Sequence, residues 1–256
     1  MAAKYRQLAA ELRSRINAGE YPPGSRLPTI ADMSAERGMA KTTVNDAIKL
    51  LEAQGLVHAA AKTGIVVLDH RPVQVALSRY AAVLRPGGQL GPWETACRQA
   101  GIPGRMVLIE VETVPADDEV AAILSLPAAG RRIVRRSRHA MLGDPEQVVQ
   151  LHTASYPARL VHGTPIASDE KITGGVYGAL TAAGIAPATA TETVGARPAS
   201  DDEAAELHIR GGAVLTIERV TRDSAGRPVE LLQIVADPSR TTLIYDSLPL
   251  HPRTTR

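Results

Sequence analysis

Two short runs carry side chains able to do specific chemistry. In Lys41-Thr42-Thr43-Val44-Asn45-Asp46-Ala47-Ile48-Lys49, the apolar residues Val44, Ala47 and Ile48, with Leu51 beyond, recur at helical spacing. That turns Lys41, Thr42, Thr43, Asn45, Asp46 and Lys49 outward. Lysines neutralise phosphates or reach guanine, the asparagine amide carries the donor–acceptor pair that matches adenine, and threonine hydroxyls bond phosphates or touch a thymine methyl. In Arg136-Ser137-Arg138 two arginines stand two apart in a β-prone run, so both side chains leave the same strand face. Two guanidinium forks there can grip a phosphate or a carboxylate. Each run also has a plainer reading. The first fits the solvated face of any three-helix unit, and the second, with Arg132 and Arg135 nearby, fits surface ion pairs.

Catalytic chemistry finds little support. The seven His are scattered and Cys97 is the single cysteine, which gives no metal-ligand spacing and no internal disulfide. No Gly-x-Ser-x-Gly or phosphate-loop pattern occurs. Asp117-Asp118 and Asp201-Asp202 stand at predicted helix starts, where carboxylates favour the helix dipole. The expectation is a chain with no catalytic residues, no metal site and no cofactor.

Three helices and a hairpin must position the first run. Tyr5, Leu8, Ala9, Leu12 and Ile16 share a helix face, and Gly19 with Pro22-Pro23-Gly24 ends that helix. Thr29-Ile-Ala-Asp32 reads as a capping box opening a second, short helix that Gly38 breaks. The third helix starts near Lys41 and ends at Gly55. Two β-prone runs, 56–60 and 65–68, flank Lys62-Thr63-Gly64 as a hairpin whose tip can approach a nucleic-acid backbone, Gly64 allowing close contact. From about residue 73 the pattern alternates helices and strands, with hairpin turns at 142–145 and 223–227. Hairpins demand antiparallel pairing, so the fold class is α+β, not doubly wound. The expected organisation is a three-helix-and-hairpin unit at 1–70, a linker at 71–74, a second domain at 75–248 and a tail at 249–256.

Composition agrees with a globular chain. Hydrophobic residues make up 44% and charged residues 22%, but aromatics only 3% and Phe none, so the core must rest on Leu, Val, Ile and Ala. The net charge of +2 is uninformative as a whole. Residues 1–71 hold ten Lys and Arg against seven Asp and Glu, and the rest nineteen against twenty, an excess that permits DNA without proving it. The first residues lack the continuous apolar core of a signal peptide, and no run suits a membrane span. With the lone cysteine, this predicts a cytoplasmic protein with no membrane partner.

The order Tyr21-Pro-Pro-Gly-Ser-Arg-Leu-Pro-Thr-Ile-Ala-Asp-Met, then Gly38-Met-Ala-Lys-Thr-Thr-Val-Asn, then Leu50-Leu-Glu-Ala-Gln-Gly-Leu-Val resembles the GntR family of bacterial repressors. The resemblance implies a winged helix-turn-helix that binds double-stranded operator DNA through Thr29, Lys41, Thr42, Thr43, Asn45, Lys49, Lys62, Thr63 and Gly64. Three positions depart from the family pattern, which commonly has Arg at Ala31, Ser-Arg at Ala40-Lys41 and Arg at Asn45. Lysine is a point charge where arginine is a fork, so an operator unlike the family consensus is expected.

Further along, Arg136-Ser-Arg138, Val148-Val-Gln-Leu-His-Thr-Ala-Ser-Tyr-Pro157, Gly174-Gly-Val-Tyr-Gly-Ala-Leu180, Arg197-Pro-Ala-Ser-Asp-Asp-Glu-Ala-Ala-Glu-Leu207 and Leu215-Thr-Ile-Glu-Arg-Val-Thr-Arg-Asp223 with Gly226-Arg-Pro-Val-Glu230 resemble the UTRA module of the HutC branch, which shares the chorismate-lyase fold. The resemblance implies a small-molecule effector, an anion among the candidates, held by Trp93, Arg136, Arg138, His152, Gly175, Tyr177 and Glu230. It also implies a homodimer on a pseudo-palindromic operator. His152 stands where some sugar-binding relatives have a glutamate, and a histidine donates where a glutamate only accepts. Two rival readings stay open: an enzyme of chorismate-lyase type, and a constitutive repressor whose second domain only dimerises.

Overall fold

The structure, a computed structural model, describes residues 2–60, 63–76, 91–170, 172, 175–209 and 212–245. The chain divides into two compact units, Met1–Arg71 with Ala204–Gly212, and Pro72–Glu203 with Ala213–Arg256.

In the first unit, α1 (Ala2–Asn17), α2 (Ile30–Arg37) and α3 (Lys41–Ala53) precede an antiparallel hairpin of β1 (Val57–Ala60) and β2 (Gly64–Val67). The predicted apolar stripes are the core: Leu8, Leu12 and Ile16 from α1 meet Met33 of α2 and Val44, Ala47, Ile48 and Leu51 of α3. Glu11 accepts a forked pair of bonds from Arg37, at 2.6 and 2.7 Å, tying α1 to α2. One feature was invisible to periodicity. The stretch Ser25–Leu27 joins β2 as a third extended segment, with Leu27 N donating to Ile65 O and Val67 N to Ser25 O, each at 2.9 Å. Flanked by Gly24 and Pro28, it reads as loop, and only the tertiary partner makes it strand-like.

The second unit is α+β, as predicted. Among its described residues, six antiparallel strands form one sheet in the order β4-β5-β6-β9-β8-β7. These are β4 (Gly104–Pro115), β5 (Arg132–Leu142), β6 (Gln147–Pro157), β7 (Pro187–Pro198), β8 (Ala213–Asp223) and β9 (Pro228–Ala236). The β8–β9 turn is fixed by Asp223, whose Oδ1 accepts from the Ala225 and Arg227 amides at 2.9 Å each, as Asp does in turns. The main helices are α4 (Pro92–Ala100), α5 (Asp118–Ile123) and α7 (Gly175–Ala182). Between β6 and α7, where a long loop was expected, lie a one-turn α6 (Ala158–Val161) and a 3₁₀ turn (Pro165–Ala167). Two short strands, β3 (Val73–Ala76) and β10 (Thr241–Ile244), pair in parallel apart from the main sheet. Val73 therefore begins a strand inside the stretch expected to be linker. The period-two signal of Val73-Gln-Val75-Ala was too short to separate from a linker without its partner.

Helix α4 docks closely on β4. A Cβ placed on Gly104 would lie 2.3 Å from Cys97 Sγ and 3.1 Å from the Met141 carbonyl, so only glycine allows this approach. Cys97 is buried against it, and desolvation, with Glu94 adding, pushes its thiol up to about 12. The thiolate is the reactive form. Native protein at pH 8 is therefore expected to be silent to a disulfide-exchange reagent and to release one thiol equivalent only on denaturation. Fast labelling of folded protein would contradict this packing.

Candidate functional sites

The first site is the outer face of α3. Thr29 forms the expected capping box on α2: its Oγ1 accepts from Asp32 N at 3.2 Å, and Asp32 Oδ2 accepts from Thr29 Oγ1 at 2.7 Å. Gly38, at φ 57° and ψ 34°, closes α2 in the left-handed region, and its amide bonds Ser34 O. That turn sets α3 against α2. Lys41, Thr42 and Lys49 are exposed on α3, with Thr43 and Asn45 half-buried beside them, while Val44, Ala47, Ile48 and Leu51 face the core. Thr63 and Gly64 stand exposed at the hairpin tip, Gly64 at φ +77°; Lys62 lies outside the described residues. On α3 the exposed Lys41, Thr42 and Lys49 thus lie away from the core, with Thr43 and Asn45 on the flanks. Ala40 caps the first turn of α3 without any side-chain bond. Ala40→Ser is expected to stabilise the first unit by about 0.5–2 kcal/mol, read as a rise in the melting temperature. A drop would mean that the hydroxyl cannot reach the free amides.

The second site lies on one face of the six-stranded sheet. Register builds it in rows. Arg138 of β5 pairs with His152 of β6, His152 with Ile234 of β9, and Ile234 with Ile217 of β8. The next row runs Arg136, Ala154, Leu232, Arg219 and, on β7, Glu192. Directly opposed residues share a face, so both rows point to the same side. Over them stand the first turns of α4 (Pro92, Trp93) and α7 (Gly175, Val176, Tyr177), with Val75 of β3 and Leu243 of β10 as a side wall. The cavity, partly open to the outside, measures about 140 Å³, and most of its lining is apolar.

The structure brings Trp93, Arg138, His152, Gly175, Tyr177 and Glu230 around this one cavity. Arg136 is the exception and needs correcting. It leaves the same face as Arg138, as the alternation required, but the 3₁₀ turn roofs it. Its Nη1 donates to the carbonyls of Ile166 at 2.8 Å, Pro165 at 3.3 Å and Ser168. Burial lowers its pKa from the ordinary arginine value. Arg136 therefore pins the turn and does not line the cavity. The segment that captures it was read as a featureless loop, so its pull on Arg136 had no signal in the sequence.

The polar side chains of the cavity are coupled to one another. Glu230 accepts from Tyr156 at 2.7 Å, Thr221 at 2.8 Å and Tyr177 at 3.3 Å. Full burial, and then the charge of Glu230, push the Tyr156 hydroxyl well above its ordinary range, so it stays a donor. His152 Nε2 lies 2.8 Å from Gln150 Oε1, and Gln150 Nε2 donates to Thr241 at 3.0 Å. Trp93 is held by its indole nitrogen, which donates to Met141 O at 3.1 Å. Arg219 and Gln150 also line the cavity, and sequence reasoning missed both. Arg219 is buried and ion-paired with Glu192, its Nε 2.9 Å from Oε1. The available signal was its inward register in Ile217-x-Arg219-x-Thr221, which places an arginine where apolar residues belong. Among the described residues, no group of three or more His, Cys, Asp or Glu is placed to hold a metal, and no helix is long and apolar enough to cross a membrane.

Comparison with known proteins gives both units a context. Residues 4–67 match the family model of bacterial regulatory proteins, gntR family, and residues 100–242 match that of the UTRA domain. An HTH-type transcriptional regulator of Streptomyces coelicolor is 32% identical over 256 residues, covering 96% of this chain and 93% of its own. One of Rhizobium meliloti is 28% identical over 254 residues, covering 98% and 95%. A solved GntR-family transcriptional regulator superposes with a TM-score of 0.58 at 29% identity, covering 97% of this chain and 98% of that one. PhnF of Mycobacterium smegmatis superposes at 0.59 with 19% identity, covering 94% and 98%, a likeness of fold.

Proposed function

The chain belongs to the GntR family of bacterial regulatory proteins, with a UTRA domain behind its helix-turn-helix, and from that premise we propose a repressor released from its operator by a small-molecule effector. It is a DNA-binding transcription regulator, and its relatives are regulators, not enzymes. The observation that carries the effector reading is the convergence of Arg138, His152, Tyr177, Glu230 and Trp93 on one cavity within the second unit. An anion bound there meets the guanidinium of Arg138 and the first turn of α7, the end of a helix that favours negative charge.

On the DNA side, α3 lies in the major groove with Lys41, Thr42 and Asn45 leading, and Lys49 and the hairpin tip reach phosphates. A homodimer places two such helices on the halves of a pseudo-palindromic site. A ligand shifts this equilibrium only by binding one arrangement of the protein better than another, and residues 69–73 carry the connection. Selection of bound sequences from random DNA is the test. It is expected to enrich an inverted repeat, bound by a species that sediments as a dimer. Enrichment of a single unrepeated half-site, or binding by a monomer, overturns the dimeric repressor.

A further inference from the structure

Resting on the effector reading above, we propose that the cavity is built for a small monocarboxylate with an apolar body about one ring in size, and that it rejects sugar phosphates. Size comes first. The cavity holds about 140 Å³, and an apolar cavity of roughly 150 Å³ takes a benzene molecule. Chemistry comes second. A sugar carries a hydroxyl on nearly every carbon, and each needs a partner once it leaves water. Here the candidate partners bond one another: Glu230 takes three hydroxyls, His152 takes Gln150, and Arg219 takes Glu192. What surrounds the remaining space is apolar, with Ile217, Leu232 and Ile234 on the floor.

Charge comes third. Of the side-chain nitrogens and oxygens that are buried without a hydrogen-bond partner among the described residues, Arg138 Nε alone belongs to the cavity lining. Arg138 as a residue is half-buried and lines the cavity, so the ligand's anionic head sits against its guanidinium. A phosphate monoester brings close to two negative charges at neutral pH. A second guanidinium to balance them is missing, because Arg136 is spent on backbone carbonyls and Arg219 on Glu192. A carboxylate, with one charge, matches one arginine.

Titration calorimetry of the full chain tests this with benzoate and 3-methylbutanoate against glucose 6-phosphate, inorganic phosphate and benzamide, the neutral isostere of benzoate. At least one carboxylate is expected to saturate a single site, benzamide to bind about tenfold more weakly than benzoate or worse, and the phosphates to give no saturable heat. Arg138→Gln is expected to raise the carboxylate Kd about 10- to 100-fold. The benzamide comparison stands even if that variant does not fold. Tighter binding of glucose 6-phosphate, equal binding of benzamide and benzoate, or silence of both carboxylates overturns the inference. The two readings separate in an operator shift assay. A carboxylate that binds yet leaves operator affinity unchanged sinks effector control and keeps the inference, whereas glucose 6-phosphate releasing the operator does the reverse.

Discussion

Truncating Glu192 to alanine is expected to destabilise the second unit by about 3–5 kcal/mol, among the largest single-residue effects in the chain. Arg219 is 2% exposed, and its guanidinium is held by Glu192 on the neighbouring strand. Removing the carboxylate leaves a cation in the sheet interior with its main counter-charge gone. Water solvation, lost on folding, is not recovered there. For a unit of this size, that energy corresponds to a fall of about 6–20 °C in melting temperature. The double change Glu192→Leu with Arg219→Met is expected to regain most of the loss, because replacing both partners of a buried ion pair by apolar groups is often neutral or better. Scanning calorimetry of the three proteins decides it. A single variant that melts with the parent would show that the pair carries no stability.

On the DNA face, Asn45→Ala is expected to weaken operator binding by about 1–3 kcal/mol and to relax preference at one base pair per half-site. Lys41→Ala is expected to weaken binding to all sequences alike and to flatten the salt dependence of log K by about one. The two effects differ in kind because an amide reads a base edge while an ammonium displaces counterions. Shift assays over a range of salt, on the selected operator and on scrambled DNA, separate them. Unchanged affinity and specificity in both variants would place the recognition surface elsewhere. Neither residue holds the fold: Lys41 is exposed and Asn45 half-buried, outside the core formed by Val44, Ala47, Ile48 and Leu51.

Legibility followed the range of the interactions. The helices of the first unit could be read from the sequence because their stripes, capping box and breaking glycines are local, and the structure places them within a few residues of the expected bounds. The two hairpins of the second unit were readable for the same reason, as turn residues between alternating runs. Strand order was not, since the placement of β9 between β6 and β8 depends on partners far apart in sequence. Six cavity residues emerged from a resemblance, one of them, Arg138, also from alternation along β5. Arg136 was misplaced because alternation gives the face and not what covers it. Arg219 was overlooked because its partner, Glu192, is supplied by a strand whose register cannot be inferred locally.

The parallel pairing of β3 with β10 has a practical consequence. It clasps the first residues of the second unit to nearly the last described ones, and both strands give a side chain, Val75 and Leu243, to the cavity wall. The stretch matched as UTRA begins only at residue 100, so a fragment cut to that boundary would keep the sheet and lose half the clasp. The ligand-holding body is therefore longer than its family signature.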